Sequence, residues 1–368
     1  MTKHYVLLKN NSMQENSKLH HLLQLTVDYN ASDLHLVVGH PPVVRIDGKL
    51  KAVPSESVLA PDTIKQLLDS SLKSEEIERL TVNKELDFSL PFSEKARFRV
   101  NAYTQKGSYA AAFRRIPIEI PHIDTLGLPK IVHSFSTLRQ GLVLVTGPTG
   151  HGKSTTLAAV LNEINKERSE HIITIEDPIE FVFSPRKSMV SQREMGQDTH
   201  SWKVALKSVL REDPDVVLIG EMRDHETIAA ALTIAETGHL VFATLHTNSA
   251  SQTIDRIVDV FPEEQQVQVR LQLSNVIEAV FSQRLVPTID GKRVVASEVM
   301  LGSSAVKTLV REGKTHQLDN VLQTSQEIGM NTIEMSLSDL IKKGEISLEV
   351  AQSFSLRPEA LKRLVRGT

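Results

Sequence analysis

The stretch Gly147-Pro148-Thr149-Gly150-His151-Gly152-Lys153-Ser154 decides how this chain is read. Phosphate groups need many hydrogen-bond donors at close range. Glycines at 147, 150 and 152 let the backbone turn tightly and aim its N–H groups inward, and a helix starting at the end of the loop adds its positive terminus. Lys153 can reach β- and γ-phosphates, and the Ser154 hydroxyl is the expected Mg2+ ligand. Expected nucleotide contacts run through Gly147, Pro148, Thr149, Gly150, His151, Gly152, Lys153, Ser154 and Thr155. A structural glycine turn would account for the glycines alone. It leaves unexplained the apolar run 142–146 before them and the helical stripe Leu157, Val160, Leu161 and Ile164 after them. A strand, a phosphate loop and a helix make ATP and Mg2+ the expected ligands.

Downstream, 172–175, 216–219 and 240–244 are further short apolar runs, alternating with helical segments such as 227–235. Strands buried on both faces read this way, so this part of the chain is an α/β fold with a mostly parallel sheet covered by helices. Val267, Val269, Leu271 and Leu273 alternate like a strand, but Pro262-Glu263-Glu264 has the composition of a helix first turn, so a helix is expected. From 303 to 368 the chain reads as amphipathic helices broken at Gly313, Gly329 and Gly344.

Upstream the pattern differs. Residues 1–17 read as a loose polar extension, with Met13 as an alternative start. Leu19, Leu22, Leu23 and Val27 predict a helix. Strands are expected at 34–38 and 43–46, the latter turning at Asp47-Gly48, and short helices at 62–68 and 74–80. Over 96–103, Phe98, Val100 and Ala102 alternate with Arg97, Arg99 and Asn101, as on a strand with one buried face. An α+β domain is expected over 18–116. A linker follows at 117–129, where three prolines and a glycine fall, and then the ATPase domain over 130–368.

Four further constellations carry chemistry. Glu176 and Asp177 end an apolar strand. Ligands in open parallel sheets bind beyond the carboxyl ends of strands, so one acid could polarise water while the other holds Mg2+ through water. Capping of the next segment explains the same pair equally well. Asp213-Pro214-Asp215 leads into a buried strand that ends in Gly220-Glu221-Met222-Arg223-Asp224. This resembles a Walker B segment with Gly220 where many such enzymes place Asp, and Glu221 becomes the candidate acid and metal ligand. His239 and His246 bracket an apolar strand. Metal ligation is a poor account, because the strand separates them and no third ligand is evident; a γ-phosphate contact is the better one beside the phosphate loop, and a satisfied structural histidine is the alternative. Arg97, Arg99 and Arg114 are either a solvated strand face or arginine fingers for a nucleotide on a neighbouring subunit.

Composition narrows the field. A chain of 368 residues exceeds one ordinary core, so two or three domains are expected. A net charge of −3 and 4% aromatic residues do not suit a nucleic-acid motor that stacks bases. With no cysteine, disulfides, Cys-ligated zinc and thiol nucleophiles drop out. No apolar run has membrane-spanning length, so a cytoplasmic protein that meets a membrane only through partners is expected.

From about Leu19 to the C-terminus the motifs resemble the PilT-type twitching-motility ATPases, the type IV pilus retraction motors of the secretion-ATPase superfamily. The likeness rests on Ala31-Ser32-Asp33-Leu34-His35-Leu36, Arg97-Phe98-Arg99-Val100-Asn101, the phosphate loop, Glu176-Asp177-Pro178, Gly220 to Asp224, and Thr237 to Ser249. It implies a PAS-like N-terminal domain, a RecA-like ATPase domain and a homo-hexameric ring with ATP between the domains, contacted by N-terminal arginines. In the family's pattern Glu176 matches the catalytic glutamate, Glu221 the Walker B glutamate, and His239 and His246 the paired histidines. The implied partners are an inner-membrane pilus platform protein and a paralogous motor ATPase, at the inner face of the cytoplasmic membrane at the pilus base. Two departures stand out. His151 replaces the family's usual Ser, and its side chain is expected to point away with little effect. The motif usually written Ala-Ile-Arg-Asn-Leu reads Ala305-Val306-Lys307-Thr308-Leu309, where Lys keeps the charge without the planar fork. The competing classes are a pilus-assembly or type II secretion ATPase, a RecA-like nucleic-acid motor and a non-hydrolysing regulatory subunit. Zero cysteines weigh against the assembly class, many of whose members carry a four-Cys zinc element.

Overall fold

A computed structural model describes residues 17–46, 48–93, 96–117 and 119–366. Apart from Ser17, the extension expected over 1–17 lies outside these residues, as does Asp47 of the expected turn. The chain divides into two units, Met1–Glu119 and Ile120–Thr368.

In the first unit the elements run α1 (Lys18–Asp28), β1 (Asp33–Leu36), β2 (Val43–Ile46), β3 (Lys49–Ala52), α2 (Pro61–Asp69), α3 (Ser74–Asn83), β4 (Glu85–Ser93), β5 (Ala96–Gln105) and β6 (Ser108–Pro117). The six strands form one antiparallel sheet in the order β3-β2-β1-β6-β5-β4. Its buried face carries Leu34, Phe98, Val100 and Phe113, which pack with Leu19, Leu22 and Leu23 of α1 and Ile64 and Leu68 of α2. The period-2 alternation of β5 thus does what the sequence predicts, and Arg97 and Arg99 lie half-buried on the other face. There Arg99 stands directly opposite Arg114 of β6. Arg114 donates from Nε to Asp33 Oδ1 at 2.9 Å, and Arg97 from Nε to the Ser89 hydroxyl. Burial raises the Asp33 pKa, but hydrogen bonds from Ser32 and Arg114 and the Arg114 charge outweigh it and hold the carboxyl below its usual range.

The stretch expected as a linker packs on the second unit from Ile120 onward. Ile123 is buried in that unit's core, with Ile120, Leu126 and Leu128 packed around it. Then follow β7 (Gly141–Thr146), α4 (Lys153–Glu167), β8 (His171–Glu176), β9 (Met189–Glu194), α5 (Trp202–Val209), β10 (Val216–Ile219), α6 (His225–Glu236), β11 (Leu240–Leu245), α7 (Ala250–Asp259), α8 (Glu263–Val276), β12 (Ile277–Pro287) and β13 (Arg293–Leu301). Five helices close the chain: α9 (Ser304–Glu312), α10 (Leu318–Thr324), α11 (Ile333–Lys342), α12 (Leu348–Phe354) and α13 (Pro358–Arg366). The sheet order is β13-β12-β7-β11-β10-β8-β9, parallel throughout except for the antiparallel edge strand β13. The expected apolar runs are its centre: every residue of β7, β10 and β11 is buried. Strands β9, β12 and β13 have no counterpart in the sequence reading, and β12 follows α8 with no turn residue between them. The chain leaves β7 toward one side of the sheet and returns beside it as β12 on the other. A reversal of this kind opens a crevice at the strand ends, here next to the loop after β7. No helix among the described residues is long and apolar enough to cross a membrane.

Candidate active site

The loop between β7 and α4 is shaped by its neighbour β12. Gly147 has φ +137°, and a Cβ there would stand 2.3 Å from the Gln283 carbonyl oxygen. Glycine is thus required on two grounds, conformation and room. Lys153 opens α4 and is buried, its Nζ donating to the carbonyls of Gly147 at 2.9 Å and Pro148 at 3.1 Å. Burial depresses its pKa, and the nearby carboxylates of Glu221 and Glu180 partly restore it. The ammonium is thus held against the loop at the positive end of a helix, where an anion is most welcome.

Loop, strand ends and acids are joined by a chain of contacts. His246, just past β11, places Nδ1 3.3 Å from the Thr149 hydroxyl and Nε2 3.1 Å from Glu221 Oε1. The other oxygen of Glu221 accepts from Arg223 Nη2 at 2.7 Å. Burial raises the Glu221 pKa, but the Arg223 hydrogen bond and the charges of His246 and Arg223 bring it below the ordinary value. Glu221 is therefore a carboxylate at neutral pH. Gly220 occupies the position where other loop enzymes place Asp, and packing explains it: a Cβ would approach Glu176 Cα and the Ile175 carbonyl oxygen to 3.3 Å each.

Glu176 ends β8 in a different environment. It is buried, and Thr174 Oγ1 donates to its Oε1 at 2.6 Å. Burial dominates over that bond and pushes its pKa up to about 7. The folded chain therefore favours the uncharged acid. This contribution to stability is complete below about pH 4.5 and is lost as pH rises through about 7, with a full size on the order of 3 kcal/mol. Glu176→Gln should remove it, so the variant's melting temperature should gain on wild type as pH rises from about 5 to about 8. A melting difference that does not change with pH would show that Glu176 titrates as an ordinary carboxyl.

The geometry sorts the expected residues. Lys153, Thr149, Glu221 and His246 are connected as described. Glu176 and exposed Asp177 sit at the carboxyl end of β8, three strands from β7, or about 14 Å at ordinary strand spacing. Asp177 lies close enough to Arg223 to raise its pKa. His239 is a correction: it precedes β11, at the amino end of that strand, where its Nδ1 meets Thr237 Oγ1 and the Ile234 carbonyl. The six residues of β11 put it about 20 Å from His246. The two histidines therefore cannot serve one phosphate in the same chain. Arg97, Arg99 and Arg114 belong to the first unit. Ser154 and Thr155 lie in the first turn of α4. His151 does more than point away. Its Nδ1 accepts from the Leu285 amide at 2.9 Å, which ties the loop to β12. Two residues given no role by the sequence also touch this cluster. Arg223 was two positions from Glu221 in a motif already singled out. Gln283 carried no signal, being 132 positions from the loop residue it bonds.

The donors suit a hard cation such as Mg2+. They are a hydroxyl at Ser154 and carboxylates at Glu221 and Asp177, and such an ion takes most of its ligands from phosphate and water. No group of three or more His, Asp or Glu among the described residues could hold an ion unaided.

A buried parallel sheet, a glycine-shaped loop running into a helix, and acids at the neighbouring strand ends define a P-loop ATPase of the RecA-like kind. The chain matches the family described as Type II/IV secretion system protein over residues 10–347, and it belongs to that family. It is 47% identical over 341 residues to the "Type IV pilus retractation ATPase PilT" of Pseudomonas aeruginosa, covering 92% of this chain and 98% of that one. It is 46% identical over 321 residues to a "Twitching motility protein" of Neisseria gonorrhoeae, covering 87% and 86% of the two chains. The crystal structure of the pilus retraction motor PilT with bound ADP superposes with a TM-score of 0.89 at 46% identity, covering 95% of this chain and all of the other.

Proposed function

We propose that this chain is the ATP-driven motor of type IV pilus retraction, acting as a homo-hexamer. The observation that carries this reading is the likeness to retraction ATPases along nearly the whole length of both chains. A shared ATPase core alone would fit assembly and secretion motors equally.

In this reading the amides of 147–152 and the Lys153 ammonium hold the β- and γ-phosphates. Bound Mg2+ would neutralise phosphate charge, held by the Ser154 hydroxyl and, through water, by Glu221 and Asp177. The two glutamates divide the work because their environments push their pKa values apart. Glu221 stays ionised beside Arg223 and His246. Glu176, poised near neutrality, takes the proton from the attacking water. His246 links the loop's Thr149 to Glu221, so a change at the phosphates reaches the Walker B acid directly. Arg99 stands directly opposite Arg114, which Asp33 already pairs, and an anion would add to that balance of charge. With Arg97 they would contact a neighbouring subunit's nucleotide.

The implied setting is the cytoplasmic face of the inner membrane, with a pilus platform protein and a paralogous motor as partners. A deletion strain should be non-motile and hyperpiliated, and light scattering of the purified protein should give a ring of six. Bald cells would mean assembly instead, and a monomer under every nucleotide condition would reject the ring.

A further inference from the structure

The floor of the phosphate loop is strand β12, and one side chain on it spans the loop. Gln283 is buried, with 1% of its surface exposed. Its Oε1 accepts from the Thr156 hydroxyl of α4 at 2.8 Å, and its Nε2 donates to the His151 carbonyl at 2.7 Å. Its backbone carbonyl is the group that excludes any side chain at Gly147. Two residues on, the Leu285 amide donates to His151 Nδ1. That bond requires a ring with Nδ1 unprotonated. Burial, and then the charges of Arg284, Lys153 and Arg293, depress the His151 pKa and keep the ring neutral. The loop is therefore held at its start, its crest and the first turn of its helix by two positions of one strand, Gln283 and Leu285.

We propose that Gln283 is a positioning residue of the phosphate loop, its carboxamide bridging Thr156 and the His151 carbonyl while the Leu285 amide fixes the His151 ring. This rests on reading the loop as the phosphate site. Among the described residues the Gln283 side chain bonds to the loop and its helix, so it acts through their shape. Ground-state and transition-state phosphates are held by the same loop amides, so distorting the loop weakens both alike. Its loss should then raise KM and leave kcat nearly unchanged. A purely structural role would do the reverse, because a smaller folded fraction lowers kcat at constant KM.

The test uses the full chain, with ADP binding by calorimetry and ATP turnover by phosphate release. Gln283→Ala and His151→Leu should weaken ADP binding and raise KM by about ten- to a hundredfold, with kcat within about threefold. His151→Asn should recover most of the affinity that His151→Leu loses, because its Oδ1 takes the place of Nδ1 as acceptor for the Leu285 amide. Wild-type ADP affinity and KM in Gln283→Ala and His151→Leu would overturn the proposal, as would a fall in kcat at unchanged KM. Should Gln283→Ala fail to fold, Thr156→Val, which removes the hydroxyl that the Gln283 carboxamide accepts from, decides on the same readouts, while the His151 pair tests the Leu285 bond. A wild-type chain that binds neither ADP nor ATP would instead overturn the phosphate reading itself.

Discussion

Lys153→Ala is expected to weaken ATP and ADP binding by at least about a hundredfold, because it removes the one ammonium aimed at the phosphates and charge-assisted bonds of this kind are each worth about 1.5–3 kcal/mol. The site around it makes the loss specific. Lys153 is buried at the mouth of α4, and its remaining donors are backbone amides that cannot supply a full charge. The fold should survive. Burial depresses the pKa of this lysine, so the charged side chain is held at a cost in the folded chain, and removing it offsets the two lost bonds to Gly147 and Pro148. Melting without nucleotide should therefore shift little, while calorimetry shows binding lost. Unchanged ATP affinity would defeat the site assignment.

Glu221→Gln separates binding from chemistry. The amide has the shape of the carboxylate and can still bond His246 and Arg223, so nucleotide affinity should stay within a few-fold. Turnover should fall by about a hundred- to a thousandfold, since a neutral amide carries no charge toward a cation. The two carboxylate oxygens are engaged by Arg223 and His246, so Glu221 sits at the junction between the loop and the strand behind it. Wild-type phosphate release by this variant would remove Glu221 from the chemistry and leave Glu176 as the sole candidate.

How much could be read beforehand follows from where each signal lies. Strands β7, β10 and β11 were legible because a strand buried on both faces must be apolar along its whole length. The loop was legible because its glycines, Lys153 and Ser154 are consecutive. The two faces of β5 were legible from the alternation of Phe98 and Val100 with Arg97 and Arg99. Strand β12 was not. Its residues follow α8 without a turn, and Ser282, Gln283 and Arg284 interrupt its apolar run. Gln283 serves the loop, Arg284 donates to the Phe354 carbonyl, and the Ser282 hydroxyl is hydrogen-bonded to that of Thr146 at the end of β7. A strand that carries function on both faces loses the pattern by which strands are recognised.

The histidines mark the boundary from the other side. His239 and His246 look equivalent in sequence, one before and one after the same strand. A parallel strand has its ligand at one end only, so the fold brings His246 to Thr149 and Glu221 and leaves His239 bonded to its own helix end at Ile234.

By itself, the sequence determined the loop, the acids that end β8 and β10, and the class of chemistry, because each is written in consecutive residues whose backbone conformation is local. Only the tertiary structure decided that β12 lies beside β7, that Gln283 and Leu285 grip the loop, and that one histidine of the two reaches Glu221. Strand order is set by how helices cross over and bury their apolar faces against the sheet. That packing is a property of the whole chain, and no short stretch of it carries the answer.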